Sequence, residues 1–129
     1  MPAPSFLVAE RDLSLRQMLA EITAENFRDA VVFTARNEEE ALAALPRLRP
    51  PCVAVLHWSL LDGGAATLAE FHNAGVPVLL TSAWNPTRVV GASPASVRLQ
   101  KPFDLEDYVG RLRELLASWP EPGAGSGGR

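Results

Sequence analysis

Short apolar runs alternating with helical stripes constrain this chain more than any other feature. Phe6-Leu7-Val8-Ala9 is apolar and stops abruptly at Glu10-Arg11-Asp12, as a strand buried on both faces does where it leaves the sheet. Leu15, Met18, Leu19 and Ile22 then recur at helical spacing, with Asp12 or Ser14 available as a cap, which predicts a helix from about Leu13 to Glu25. Ala30 to Thr34 reads as a second strand. Asn37-Glu38-Glu39-Glu40 follows it, placing carboxylates at the positive end of a helix through Ala41, Leu42 and Leu45. Pro46, Pro50 and Pro51 end that helix and lead into a third strand, Val53 to Leu56. Gly63-Gly64 opens a helix across Leu68, Ala69 and Phe71 that stops near Gly75, and Val76 to Leu80 reads as a fourth strand with Pro77 near its start. Between Ala83 and Ser96 the pattern weakens, leaving room for a short fourth helix near Pro86 to Val90. Val97 to Gln100 supplies a fifth strand, and Leu105, Tyr108, Val109, Leu112, Leu115 and Leu116 form the stripe of a fifth helix.

This order predicts an α/β fold, a doubly wound parallel sheet of about five strands covered by helices on both faces. A chain of 129 residues is the size of one domain, expected over residues 1–119, with a flexible Gly/Ser-rich tail over 120–129. The net charge of −3 and the absence of any Lys/Arg block argue against direct nucleic-acid binding. Cys52 is the single cysteine, so no intramolecular disulfide can form, in keeping with a reducing cytoplasm. No run approaches the roughly 20 apolar residues of a membrane span, and the first residues do not read as a signal peptide. A soluble cytoplasmic protein with no membrane partner is expected. In open α/β sheets ligands meet the carboxyl ends of the strands, which directs attention to Glu10, Arg11, Asp12, His57, Ser82 and Lys101.

With Lys101-Pro102-Phe103 between a short strand and an amphipathic helix, the acidic turn after the first strand followed by Arg16 and Leu19, the Asn37 to Leu42 stretch, and Pro77 to Ala83, the chain resembles the receiver domains of bacterial response regulators, the CheY-like family, from Phe6 to Leu116. The resemblance implies the flavodoxin-like strand order 2-1-3-4-5 in three α/β/α layers, and a role in two-component signal transduction. Receivers hold magnesium with acidic residues after the first strand and an aspartate ending the third. That aspartate accepts a phosphoryl group, whose oxygens a Ser/Thr and a Lys bind. On this alignment the acidic pair becomes Glu10-Arg11, with Asp12 third, and the acceptor becomes His57. Ser82 and Lys101 keep the anion-binding positions, and the Lys101-Pro102 bond is a candidate cis peptide.

Imidazole cannot form an acyl phosphate, and Arg11 brings a fixed positive charge to the place of a cation. The pocket is therefore expected to be degenerate, with no metal, no cofactor and no enzymatic activity. The loop after His57 is about two residues shorter than the family's, and Arg98 takes the place of its switch aromatic. The expected function is phosphorylation-independent protein–protein interaction, with a protein partner or in a homodimer, through the face of the fourth helix, fifth strand and fifth helix. Trp84, Arg98 and Arg111 are its candidate contacts. Two other readings use the pocket itself: a phosphocarrier or enzyme working through His57, or a small-anion sensor working through Ser82 and Lys101. Trp58 and Trp119 are each either a core plug or a partner contact.

Overall fold

A computed structural model describes residues 3–57, 60, 65–82, 96–100, 105–117 and 119. The strands are β1 (Ser5–Ala9), β2 (Val31–Ala35), β3 (Cys52–His57), β4 (Val78–Ser82) and β5 (Ser96–Gln100). The helices among these residues are α1 (Leu13–Asn26), α2 (Glu38–Ala44), α3 (Ala65–Asn73) and α4 (Leu105–Ala117), and a 3-10 turn at Leu45–Arg47 extends α2. The fourth helix expected near Pro86 to Val90 lies outside the described residues, so α4 is the helix read from the sequence as the fifth. All pairings are parallel and the order is β2-β1-β3-β4-β5, as expected for a doubly wound sheet.

Strand boundaries move slightly from the sequence reading, for local reasons. The fourth strand starts at Val78 instead of Val76, because Pro77 has no N–H to give to a ladder, although its carbonyl still accepts the Ala54 N–H at 3.0 Å. Ala30 belongs to the turn ahead of β2, its N–H donating to Phe27 O at 3.2 Å, and Asp29 in that turn has φ 58°. The cis peptide among the described residues joins Pro50 to Pro51, whereas Lys101-Pro102 lies outside them.

Alternation along the strands builds two cores. Leu7, Ala9, Ala54, Leu56, Val78 and Leu80 point to one side, where Ala41 and Ala44 of α2 and Leu68 and Phe71 of α3 cover them. Phe6, Val8, Val53, Val55 and Leu79 point to the other, under Leu19 of α1 and Tyr108, Leu112 and Leu115 of α4. Trp119 packs on the first core and its Nε1–H donates to Cys52 O at 2.7 Å, which makes it a plug at the amino end of β3. On the second side the Tyr108 hydroxyl lies 2.8 Å from Thr23 Oγ1, which itself donates to Leu19 O at 2.7 Å. Thr23 spends its proton there, so Tyr108 is the donor between the two groups. Burial pushes the Tyr108 phenol far above its ordinary range, so it keeps that proton.

Two carboxamide and carboxylate caps fix where helices start. Asp12 Oδ1 accepts the Leu15 N–H at 2.8 Å at the head of α1, and Asn37 Oδ1 accepts the Glu40 N–H at 2.8 Å at the head of α2. Glu40 reaches back to the Arg36 N–H and Nε, both at 2.9 Å, and these contacts with Arg36 hold its carboxyl below the usual range.

Candidate functional site

The carboxyl ends of β1 and β3 deliver Glu10 and His57 to one level at the same edge of the sheet. Ala9 pairs with Leu56, so the next residue on each strand is Glu10 on one and His57 on the other, and His57 pairs with Thr81 of β4. Strand alternation puts all three on the side of α1 and α4, in series with Val8, Val55 and Leu79. Their exposures are 4% for Glu10, 8% for His57 and 1% for Thr81, so polar groups here are taken out of water. Burying a carboxyl or an imidazole is costly unless it is hydrogen-bonded. Part of that requirement is met for Glu10: its Oε2 accepts the Asp12 N–H at 3.1 Å.

The turn after β1 is held by its own backbone and by α1. The Glu10 N–H donates to Ala35 O at 2.9 Å, which extends the sheet by a residue, and Arg16 Nη1 donates to Glu10 O at 2.9 Å. Arg16 entered the sequence reading only as one matching residue; here its guanidinium clasps the turn. The i, i+6 spacing that lets a first-turn arginine reach back over an N-cap is the signal that could have found it. Arg11 and Asp12 are exposed at the tip of the turn.

Magnesium needs carboxylate oxygens that converge. In this turn one oxygen of Glu10 and one of Asp12 already accept backbone N–H groups, and an imidazole stands where a third carboxylate would. Among the described residues no three His, Cys, Asp or Glu side chains are placed to hold a metal ion. The described residues of this edge do not supply the three converging carboxylates of a receiver-type cation site.

Ser82 ends β4 and pairs with Gln100, the last residue of β5. The Ser82 side chain and all of Lys101 lie outside the described residues, as do Trp58 and Trp84. Arg98 is placed by its backbone opposite Leu80, with its side chain outside the description. Arg111 is exposed on α4 and pairs with Glu114 at 3.0 Å. Thr81 was missed from sequence, although its place one residue before Ser82, directly beside His57, follows once the β3–β4 register is known. Thr67 of α3 is also buried and donates to Glu38 Oε2 of α2, a helix-to-helix contact 29 residues apart that no local pattern announces.

No protein-family model and no curated protein matches the chain. Solved structures do. A response regulator receiver protein from Sinorhizobium medicae superimposes with TM-score 0.78 at 16% identity, over 90% of this chain and 96% of that one. A Francisella response regulator receiver domain gives TM-score 0.72 at 24% identity, over 88% and 97%. A response regulator from Thermotoga maritima gives 0.74 at 16% identity, over 91% and 100%. From the order of its strands to a match with these proteins over 88–91% of its length, this chain has the fold of a response-regulator receiver domain.

Proposed function

We propose that the chain is an atypical receiver module that acts in signal transduction by phosphorylation-independent protein–protein interaction. The observation that carries this reading is His57, 8% exposed at the end of β3, beside Glu10 and Thr81 and in the position where a receiver would present its acceptor aspartate. An imidazole there replaces the carboxylate that would serve as acceptor and as a magnesium ligand, while the scaffold around it is intact. Asp12 and Glu10 serve the turn, and Arg16 fastens it, so the local structure is supported without a cation. The domain would then present a partner-binding state without modification, since a switch needs a ligand that distinguishes two states. The proposed contact face carries Trp84, Arg98 and Arg111, and the module is proposed to be non-enzymatic.

Burial of His57 also weighs against the phosphocarrier reading, because a phosphohistidine must meet its donor and acceptor in solution. Incubation with acetyl phosphate and magnesium, followed by intact mass, is expected to leave the chain unmodified. One stable phosphoryl group mapped to His57 would replace this reading with the phosphocarrier. His57→Asp alone is expected to remain unphosphorylated, with recovery needing Arg11→Asp as well.

A further inference from the structure

Between them α1 and α4 leave an open groove of about 460 Å³ lined by Ile22, Asn26, Leu105, Glu106, Val109, Gly110 and Arg113. Two i, i+4 ridges form its walls: Ile22 and Asn26 on α1, and Leu105, Val109 and Arg113 on α4. Leu105 is 39% exposed, a large apolar side chain left in water at this seam.

Gly110 is the residue that packing within the chain does not explain. It lies in the sixth position of a 13-residue helix, where glycine is the poorest helix former after proline. Its φ is not positive, and a Cβ built on it would meet nothing within 4 Å. Among the described residues, neither backbone geometry nor a neighbouring side chain requires it. A helical glycine at a surface permits another backbone to come close.

The charges around it are arranged for a particular visitor. Glu106 and Arg113 lie seven residues apart, two turns of α4, and the midpoint between them falls between Val109 and Gly110. An antiparallel copy of α4 crossing at that midpoint sets each Glu106 against the other copy's Arg113, with Val109 and Gly110 at the centre. A purely acidic or purely basic partner would match only one end. We propose that this groove docks a second copy of the chain, α4 against α4 about a two-fold axis, with the apolar walls closing over the glycine. The symmetry is isologous, the common form of a dimer. Arg111 projects from the other side of α4 and stays available to a different partner, so the dimer neither requires nor replaces the proposed signalling face.

Sedimentation velocity of the full chain, from about 10 μM to about 500 μM, tests for a weak dimer of micromolar affinity. Gly110→Arg should hold the chain monomeric while far-ultraviolet circular dichroism stays native, because the new side chain has open space. Glu106→Arg or Arg113→Glu alone sets like charges together twice and should weaken association about tenfold or more; the double exchange should restore it. A wild-type chain that is monomeric throughout the range overturns the proposal and leaves a different protein as the occupant. A dimer indifferent to Gly110→Arg, or a double exchange weaker than either single variant, overturns it too. Should Gly110→Arg not fold, the charge exchange decides.

Discussion

The two faces of the sheet solve the same burial problem with opposite materials. On the side of α2 and α3 alanines recur both in the sheet, at Ala9, Ala35 and Ala54, and in α2, at Ala41 and Ala44, and a seven-residue helix is enough because it can lie close. On the side of α1 and α4 the filling is Phe6, Phe27, Tyr108 and Leu112, under two helices of 14 and 13 residues. Small residues bring the layers together and leave little room for adjustment, whereas large ones hold helices apart and leave seams. The groove beside Gly110 is such a seam, and the buried Tyr108–Thr23 bond is the polar fastening beneath it.

Phe6→Ala tests the large-residue face most severely. Phe6 is fully buried with its ring centroid 4.9 Å from that of Phe27, so the variant should lose about 3–5 kcal/mol, read by urea denaturation. Ala54→Leu tests the opposite claim: at 0% exposure between Leu7 and Val78 on the neighbouring strands it has no volume to take, and a loss of about 1–3 kcal/mol is expected. A neutral result there would mean that the alanine-rich face is not closely packed. Tyr108→Phe keeps the ring and removes the donor to Thr23; about 1 kcal/mol should be lost. Calorimetry showing no change in Tm would assign the seam's stability to packing alone.

The smallest effect belongs to Cys52, whose thiol burial pushes up from 9.0 to about 11. The unfolded chain gives up that proton first as pH rises, so the folded state binds more protons between those values. Stability should therefore fall from pH 9 toward 11, and be fully present below that window. Cys52→Val should flatten this part of the Tm profile; an unchanged slope would assign it to other groups.

Parallel strands announced themselves because both their faces are buried, which makes them continuous apolar runs, as in Phe6 to Ala9 and Val53 to Leu56. Boundaries were less legible where hydrogen bonding, and not hydrophobicity, decides, as at Val76-Pro77 and Ala30. Asp12 was one of two possible caps until the Leu15 N–H was seen to choose it. Of the site, the meeting of Glu10 and His57 followed from strand ends. Their burial and the clasp of Arg16 did not, because these depend on register and on the approach of α1. Tyr108 could be read only as one more member of an apolar stripe, since its partner lies 85 residues away. Trp119 could not be separated into plug or contact until its donor was found on Cys52.

That last bond has a consequence for how the chain is made. Its partners are 67 residues apart, so a ribosome working at ~5–20 residues per second exposes β3 on the order of 3–13 s before the tryptophan that seals it is added. Until then the alanine-rich side of the nascent sheet lacks its closing residue, although most of the strands beneath it have already been synthesised. Stalled nascent chains released from the tunnel up to residue 117 should be cut by protease faster than chains released up to residue 119, which places the commitment to a finished domain at the arrival of Trp119.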